Sequence, residues 1–350
     1  MFVTPVYCTR EQVKRALDVA ETARSNSQID RAIGSAKRTV ESTTRRRFYP
    51  WTGTRYFDWP QKYSRSWRLW LGPNEVISVD SIVSGGVTLD PEDYILRRSD
   101  GRDEPPYTSI EINLARSASL QAAATHQRAI EVMGVYGHSA DESPAGTLAA
   151  ALASTTAATA TVSDSTVVGV GSLIRIGSER MIVSGRSMAD TGQNLGGNLT
   201  ALNNGTLVAV SSGAAFSADE VILIDAERML VEDVAGNNLI VRRGWDGSTL
   251  AAHTSGADVY AGRALTVRRG VLGTEAATHA QADAVAVHEP PELVRDFSLA
   301  LALNQLLQER SGYARVSGSG DHQKEFTGRG LKELRADVMR AYRRLRVGAV

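Results

Sequence analysis

The sequence holds a single cysteine, Cys8. That excludes an internal disulfide and a cysteine-based metal cluster, and it fits a reducing compartment. Cys8 reads as a small residue ahead of a helix and not as a reactive thiol, because no histidine or cationic partner is evident for it. Net charge is also missing: 39 basic residues balance 39 acidic ones. A globally basic nucleic-acid binder is excluded, while local basic patches remain open. No apolar run approaches the roughly 20 residues that span a bilayer. The opening MFVTPVYCTREQ lacks the basic-then-apolar order of a secretory signal, so a cytoplasmic site of synthesis and assembly is expected. No phosphate-cradling glycine motif, Ser-His-Asp arrangement, carboxylate cluster or metal-ligand spacing stands out. The expectation is therefore no enzyme, no catalytic residue, no cofactor and no metal.

What is present begins with helices. Thr9 and Gln12 have the spacing of a capping box, and Val13, Ala16, Leu17 and Ala20 then fall on one face. A second helix is predicted from Asn26 as its cap, with Ile29, Ile33, Ala36 and Val40 at helical spacing. Helical periodicity returns after Pro290 and Pro291 through Val294, Phe297, Leu301 and Leu307. A last helix carries Leu331, Leu334, Val338, Tyr342 and Leu345 on one stripe. Between the second and third helices, alternating residues around Val76 to Val83 and the Gly85-Gly86 turn predict a hairpin. The stretch 145–161 is poor in charge and rich in Ala, Thr and Ser, and reads as a surface linker. From there to residue 287, short strands and Gly, Asn and Asp turns predict an all-β unit.

That unit repeats itself in two ways. LIRIGSERMIV (173–183) is echoed by VILIDAERMLV (221–231), each laid out as a hairpin with its turn at Gly177-Ser178 or Asp225-Ala226. LIVRRGWDGSTLAAH (239–253) is echoed by LTVRRGVLGTEAATH (265–279). Both echoes are read as copied architecture. Glu179 and Arg180, like Glu227 and Arg228, point to opposite faces of a strand and are expected as an exposed edge able to form ion pairs. Gly244, Gly247, Gly270 and Gly273 are expected to make positive-φ turns. His253 and His279 are expected to tie the loop ends to backbone carbonyls. Trp245, replaced by Val271 in the other copy, is placed either inside its module or against another subunit.

The segments TREQVKRAL, AKRTVESTTRRRFYP, RLWLGPNEVISVDSIVSGGVTL, IEVMGVYG and PPELVRDFSLALALNQLLQERSGY together resemble the head-tail connector, or adaptor, proteins of long-tailed bacteriophages. The resemblance covers roughly residues 9–137 and 289–350. It implies a helical adaptor domain with a small β-hairpin region (1–144 and 288–350); the large all-β insertion with internal repeats (145–287) departs from the small family members, and the fold expected for the whole is α+β. The resemblance implies a structural virion protein at the head-tail junction, a homo-oligomeric and usually dodecameric ring beneath the portal. Its expected partners are the portal protein, a tail-side connector or stopper, and double-stranded DNA passing without sequence readout; no membrane is implied. The stripe Leu334, Val338, Tyr342 and Leu345 with Arg343 and Arg344 is the candidate portal contact. Lys37, Arg38, Arg45, Arg46 and Arg47 are the candidate contacts to channel DNA. A tail or surface protein whose β modules bind host glycan is the alternative, weakened by the few aromatics of the β unit.

Overall fold

The computed structural model of the chain describes residues 2, 4–17, 25–60, 65–310, 316–317, 324–325 and 329–344. Ala20 and Leu345 from the predicted stripes lie outside these. The helices are α1 (Arg10–Ala16), α2 (Asn26–Thr44), α3 (Glu292–Arg310) and α4 (Arg329–Tyr342). α1 opens with the reciprocal Thr9–Gln12 capping box. α2 has Ser25 as its N-cap, one residue ahead of the expected Asn26, and closes with Arg45 in the left-handed region at φ 58°.

The expected helical domain with a small β region is wrong. Strand makes up 36% of the chain and helix 20%. Residues 51–136 form two sheets. β1 (Trp51–Phe57), β2 (Arg68–Trp70), β3 (Val76–Ser84), β4 (Val87–Leu89), β5 (Tyr94–Arg97), β6 (Ser109–Ile112) and β7 (Ile130–Tyr136) pair as β1-β7-β3-β4 and β2-β6-β5. Leu69, Val76, Ile82, Ile110, Ile130 and Val132 fill one core between them. These strands are short and their partners are far apart in sequence, so only the β3–β4 hairpin is a local signal.

The second half adds β8 (Glu142–Thr147), β9 (Thr159–Thr161), β10 (Leu173–Ile176), β11 (Glu179–Asn194), β12 (Leu207–Ala209), β13 (Val221–Ile224), β14 (Glu227–Ala235), β15 (Asn238–Arg242), β16 (Asp258–Arg268) and β17 (Ala284–His288). They form one antiparallel sheet in the order β12-β15-β14-β13-β16-β11-β10-β17-β8, with β9 on β16. The stretch 145–161 is no linker. Leu148, Leu152 and Ala160 are buried among Ile174, Met181 and Leu265, and Leu148 and Leu152 bridge to Val162 and His279. Its small side chains suit close packing over a strand, a property that composition shares with solvated linkers.

The register shows one module written twice, the second copy nested inside the first. In the inner copy Val231 pairs with Val241, Leu223 with Tyr260 and Val208 with Leu239. In the outer copy the same places are taken by Val183 with Val267, Arg175 with Ala286 and Ala160 with Leu265. The inner β14–β15 hairpin is closed by Gly236 and Asn237, with Gly236 at φ 62°. The outer β11–β16 hairpin instead carries the whole inner module at its tip, and β16 serves both copies. Bulges between Ser187 and Ala189 and between Asp190 and Gln193 twist the shared arms where one module passes into the other.

The helices dock directly on the outer module. Val13, Ile29, Ile33, Val40, Val294, Phe297 and Val338 share a core with Val170, Leu173, Ile182 and Val271. Val6 N–H donates to the Gly171 carbonyl at 3.2 Å and Arg10 N–H to Val170 at 3.2 Å, while the Glu11 carboxylate accepts from Val170 N–H at 2.7 Å. Polar backbone next to the apolar seam is thus paired across it.

Candidate functional site

Both sequence echoes converge on one constellation, built twice. Glu227 opens β14 with its side chain inward and Arg228 outward, as strand alternation requires. The second arginine of the Arg-Arg-Gly run, Arg243, also turns inward, while Arg242 pairs with Glu232 outside. Glu227 Oε1 accepts from Arg243 Nε at 2.7 Å and from Gly244 N–H at 2.9 Å. Its Oε2 accepts from Arg243 Nη2 at 2.7 Å and Ala251 N–H at 3.0 Å, and lies 3.0 Å from His253 Nε2. In the outer copy Glu179 Oε1 accepts from Arg269 Nε at 2.7 Å and Gly270 N–H at 2.9 Å. Its Oε2 accepts from Arg269 Nη2 at 2.7 Å and Ala277 N–H at 3.0 Å, with His279 Nε2 at 2.8 Å.

Glu179 and Glu227 are fully buried, which corrects the expected exposed edge; Arg228 is exposed, while Arg180 is half-buried and donates from Nη1 to the Thr52 hydroxyl at 2.7 Å. The reason is the long-range fork: a carboxylate can be buried where a bidentate guanidinium and backbone amides satisfy its lone pairs. Burial by itself would push the Glu227 carboxyl up. The Arg243 fork, His253 and the Ala251 and Gly244 amides outweigh it and hold the group down to about 2. Arg269, the Ala277 amide, His279 and the Gly270 amide do the same for Glu179, again to about 2.

The histidines were expected to grip backbone carbonyls with their rings. Their rings instead meet the buried carboxylates, and it is their backbone that pairs, His253 with Leu199 and His279 with Leu152. Gly244 and Gly270 have φ of 60° and 56°, and Gly247 and Gly273 of 73° and 82°. At the tip of each loop Ser248 or Thr274 donates to the carbonyl of Trp245 or Val271 and accepts from the amide of Arg228 or Arg180. Sequence reading missed Arg243 and Arg269 as partners of the glutamates. The available signal was that each Glu-Arg-Met and each Arg-Arg-Gly occurs once per copy.

As chemistry, these sites are closed. Every glutamate oxygen has its donors, no nucleophile adjoins the histidines, and among the described residues no group of three or more potential metal ligands gathers. They pin a loop under each module so that its tip docks on the rest of the chain. Trp245 is buried against Leu230 and Leu17, and Lys14 Nζ reaches Asp246 at 2.7 Å. Val271 enters the helical core, and the Leu272 carbonyl accepts from Thr52 N–H at 2.9 Å. Trp245 therefore packs within its own chain. A Cβ on Gly273 would run into the Thr52 carbonyl oxygen. Gly273→Ala is expected to destabilise the fold by on the order of 2 kcal/mol, read as a lowered thermal midpoint.

The basic residues at the end of α2 do not act as one face. Lys37 is buried, bonded to Thr4 and lying 5.0 Å from the Tyr49 ring centre, and burial pushes its pKa down. It is no surface contact for DNA: its place on the apolar side of α2 was hidden by its charge. Arg46 turns in to Glu75 and donates from Nε to the Tyr342 carbonyl at 2.6 Å. Arg38, Arg45 and Arg47 are exposed.

The candidate portal stripe also faces inward. Val338 is fully buried, Leu334 and Tyr342 pack on the same core, and the Tyr342 ring stands edge-on to Phe48 at 5.4 Å. Arg344 reaches Glu75 at 2.9 Å, and only Arg343 of the described members is exposed. Leu345 lies outside the described residues.

No family model, curated protein or solved structure matches the chain. The site's meaning therefore rests on its geometry alone.

Proposed function

We propose that the chain is a structural virion protein, one subunit of a homo-oligomeric ring at the head-tail junction. It would sit beneath the portal, lead DNA toward the tail and carry the tail-side connector or stopper. One observation carries the reading: the buried Glu-Arg-His constellations are spent on rigidity, while exposed arginines gather where two helices end together. The Arg344 amide donates to the Thr44 carbonyl at 3.1 Å, so the C-terminal ends of α2 and α4 meet, bringing Arg45 and Arg47 near Arg343. Such a layout serves a rigid body with charged contact points better than it serves a substrate. The glycan reading is weakened, because of the three aromatics of the β unit Trp245 and Phe216 are buried and only Tyr260 is partly exposed.

Because the α4 stripe belongs to the core, α4 is not a detachable anchor. A portal contact would use its outer face, where Arg335 and Arg340 are exposed. Arg335→Glu with Arg340→Glu is expected to leave the unfolding free energy within about 0.5 kcal/mol per site. It should weaken co-sedimentation with the portal protein, most of all at low salt. Negative-stain images of the purified protein, alone and mixed with its portal, test the whole reading. Rings with a central opening are expected; monomers in both samples overturn it.

A further inference from the structure

Beside the meeting point of α2 and α4 lies a cleft of about 360 Å³, lined by five arginines and two glutamates. Glu75 is buried at its side and serves Arg46 and Arg344 at once, with His138 Nδ1 at 3.7 Å. Glu41 is engaged by the Tyr7 hydroxyl at 2.8 Å and by Lys37 at 3.7 Å. The acids of the cleft are thus taken, and positive charge remains. Two buried donors there have no partner: Nη1 of Arg344 and Nε of Arg55. A buried donor left unmade is unfavourable by roughly 1–3 kcal/mol, and two of the guanidiniums that line this one cleft each carry such a donor.

We propose that this cleft is an oxyanion site that takes a backbone phosphate of double-stranded DNA, with Arg55 and Arg344 as inner donors and Arg45 and Arg47 as its rim. Guanidinium forks match phosphate oxygens. The volume exceeds that of a lone small anion, and the exposed Arg45 and Arg47 extend the charge beyond it, as a polyanion requires. The aromatic lining argues for backbone and against base. Of its three aromatic residues, Tyr49 and Tyr136 are buried, and the Trp51 ring is covered by Arg55 at 4.6 Å and packs against Tyr136 at 5.9 Å. No ring face is left for an unpaired base to stack on, so contact is sequence-independent and suits a duplex. This inference rests on the nucleic-acid partner of the proposed function and not on the ring.

The test is fluorescence anisotropy of a labelled 20-base-pair duplex, titrated with the full chain at several salt concentrations. Arg45→Ala, Arg47→Ala and Arg55→Gln are each expected to weaken binding about tenfold and to lower the salt slope by about one, whatever the duplex sequence. Arg242→Ala, whose side chain pairs with Glu232 on the inner module and lines no part of the cleft, is expected to match the parent chain. The rim variants touch exposed residues only, so the outcome does not hinge on Arg55→Gln folding. Equal affinity and slope in all variants overturn the site. So does a polyglutamate peptide that binds more tightly than the duplex, or inorganic phosphate that raises the thermal midpoint while the duplex fails to bind. Duplex binding through these arginines by a chain that never forms rings would keep the site and overturn the assembly.

Discussion

Glu227→Ala is expected to destabilise the inner module by about 3–5 kcal/mol, because it strands a buried guanidinium, two loop amides and an imidazole in one step. Arg243 is 1% exposed on its side chain, so water cannot replace the carboxylate without opening the loop. Its remaining bonds, to the Thr200, Gly205 and Ala251 carbonyls, hold the positive charge in place with no counter-charge. Glu227→Gln keeps the shape and one acceptor oxygen but turns an amide NH2 toward existing donors, and a smaller loss is expected. The same residue sets a pH signature. Both Glu227 and Glu179 are held down to about 2 in the folded chain, below the ordinary carboxylate value. Their contribution, on the order of 3 kcal/mol each, is complete above the unfolded value near pH 4.5 and drains away as pH falls toward 2. Urea midpoints measured from pH 7 to pH 2 should drop through that window. The drop should shrink in Glu227→Gln. A flat profile, or an unchanged midpoint in Glu227→Ala, would mean that the constellation does not hold the loop.

The architecture was unevenly legible in the sequence. α1 was readable because the Thr9–Gln12 box is a local signal, and α2 and α3 because Ile29, Ile33, Val40, Val294 and Phe297 repeat with the helix itself. Duplication was readable too, but the two echoes passed for separate events. Their order, Glu179, Glu227, Arg243, Arg269, closes like a pair of brackets and already implies nesting. What sequence could not supply was direction. Strand alternation puts Glu and Arg on opposite faces, yet only the distant Arg243 or Arg269 decides that the acid goes inward. Lys37 failed for the same reason: Thr4, Glu41 and Tyr49 make burial tolerable for a residue whose type predicts exposure. The flanking sheets were underestimated because β1 pairs with β7 across most of the N-terminal half, a contact with no local trace. The Arg55–Arg344 cleft likewise joins a strand to the end of the last helix.

Nesting makes a second strong expectation: the inner module can be removed and the outer one will close over the gap. Asn194 and Asp258 are paired neighbours, with Asn194 Nδ2 donating to Asp258 Oδ1 at 2.8 Å, so the inserted chain leaves and returns at one place and closing the gap is entropically mild. The inner copy also supplies the design. Ala235 and Asn238 are joined by Gly236-Asn237, and Ser187 and Ala264 occupy the equivalent rungs of the outer hairpin. Replacing residues 188–263 by Gly-Asn should therefore turn the outer copy into the inner one's likeness. One residue resists. Arg186 stands where the inner copy has Val234, and it is held by Ser165 at 2.5 Å and by the Gly262 carbonyl, while Ser165 donates to Glu220, itself forked by Arg263. The excision removes Gly262, Glu220 and Arg263 together and leaves Arg186 half-satisfied in a buried place. The shortened chain is expected to be less stable by about 1–3 kcal/mol with Arg186 kept than with Arg186→Val. With that substitution it should show cooperative thermal unfolding, retain the Glu179-dependent acid transition and lose the Glu227-dependent one. An aggregated or non-cooperative product in both forms would mean that the inner module props up the outer one, and that the copy was kept because the parent no longer folds without it.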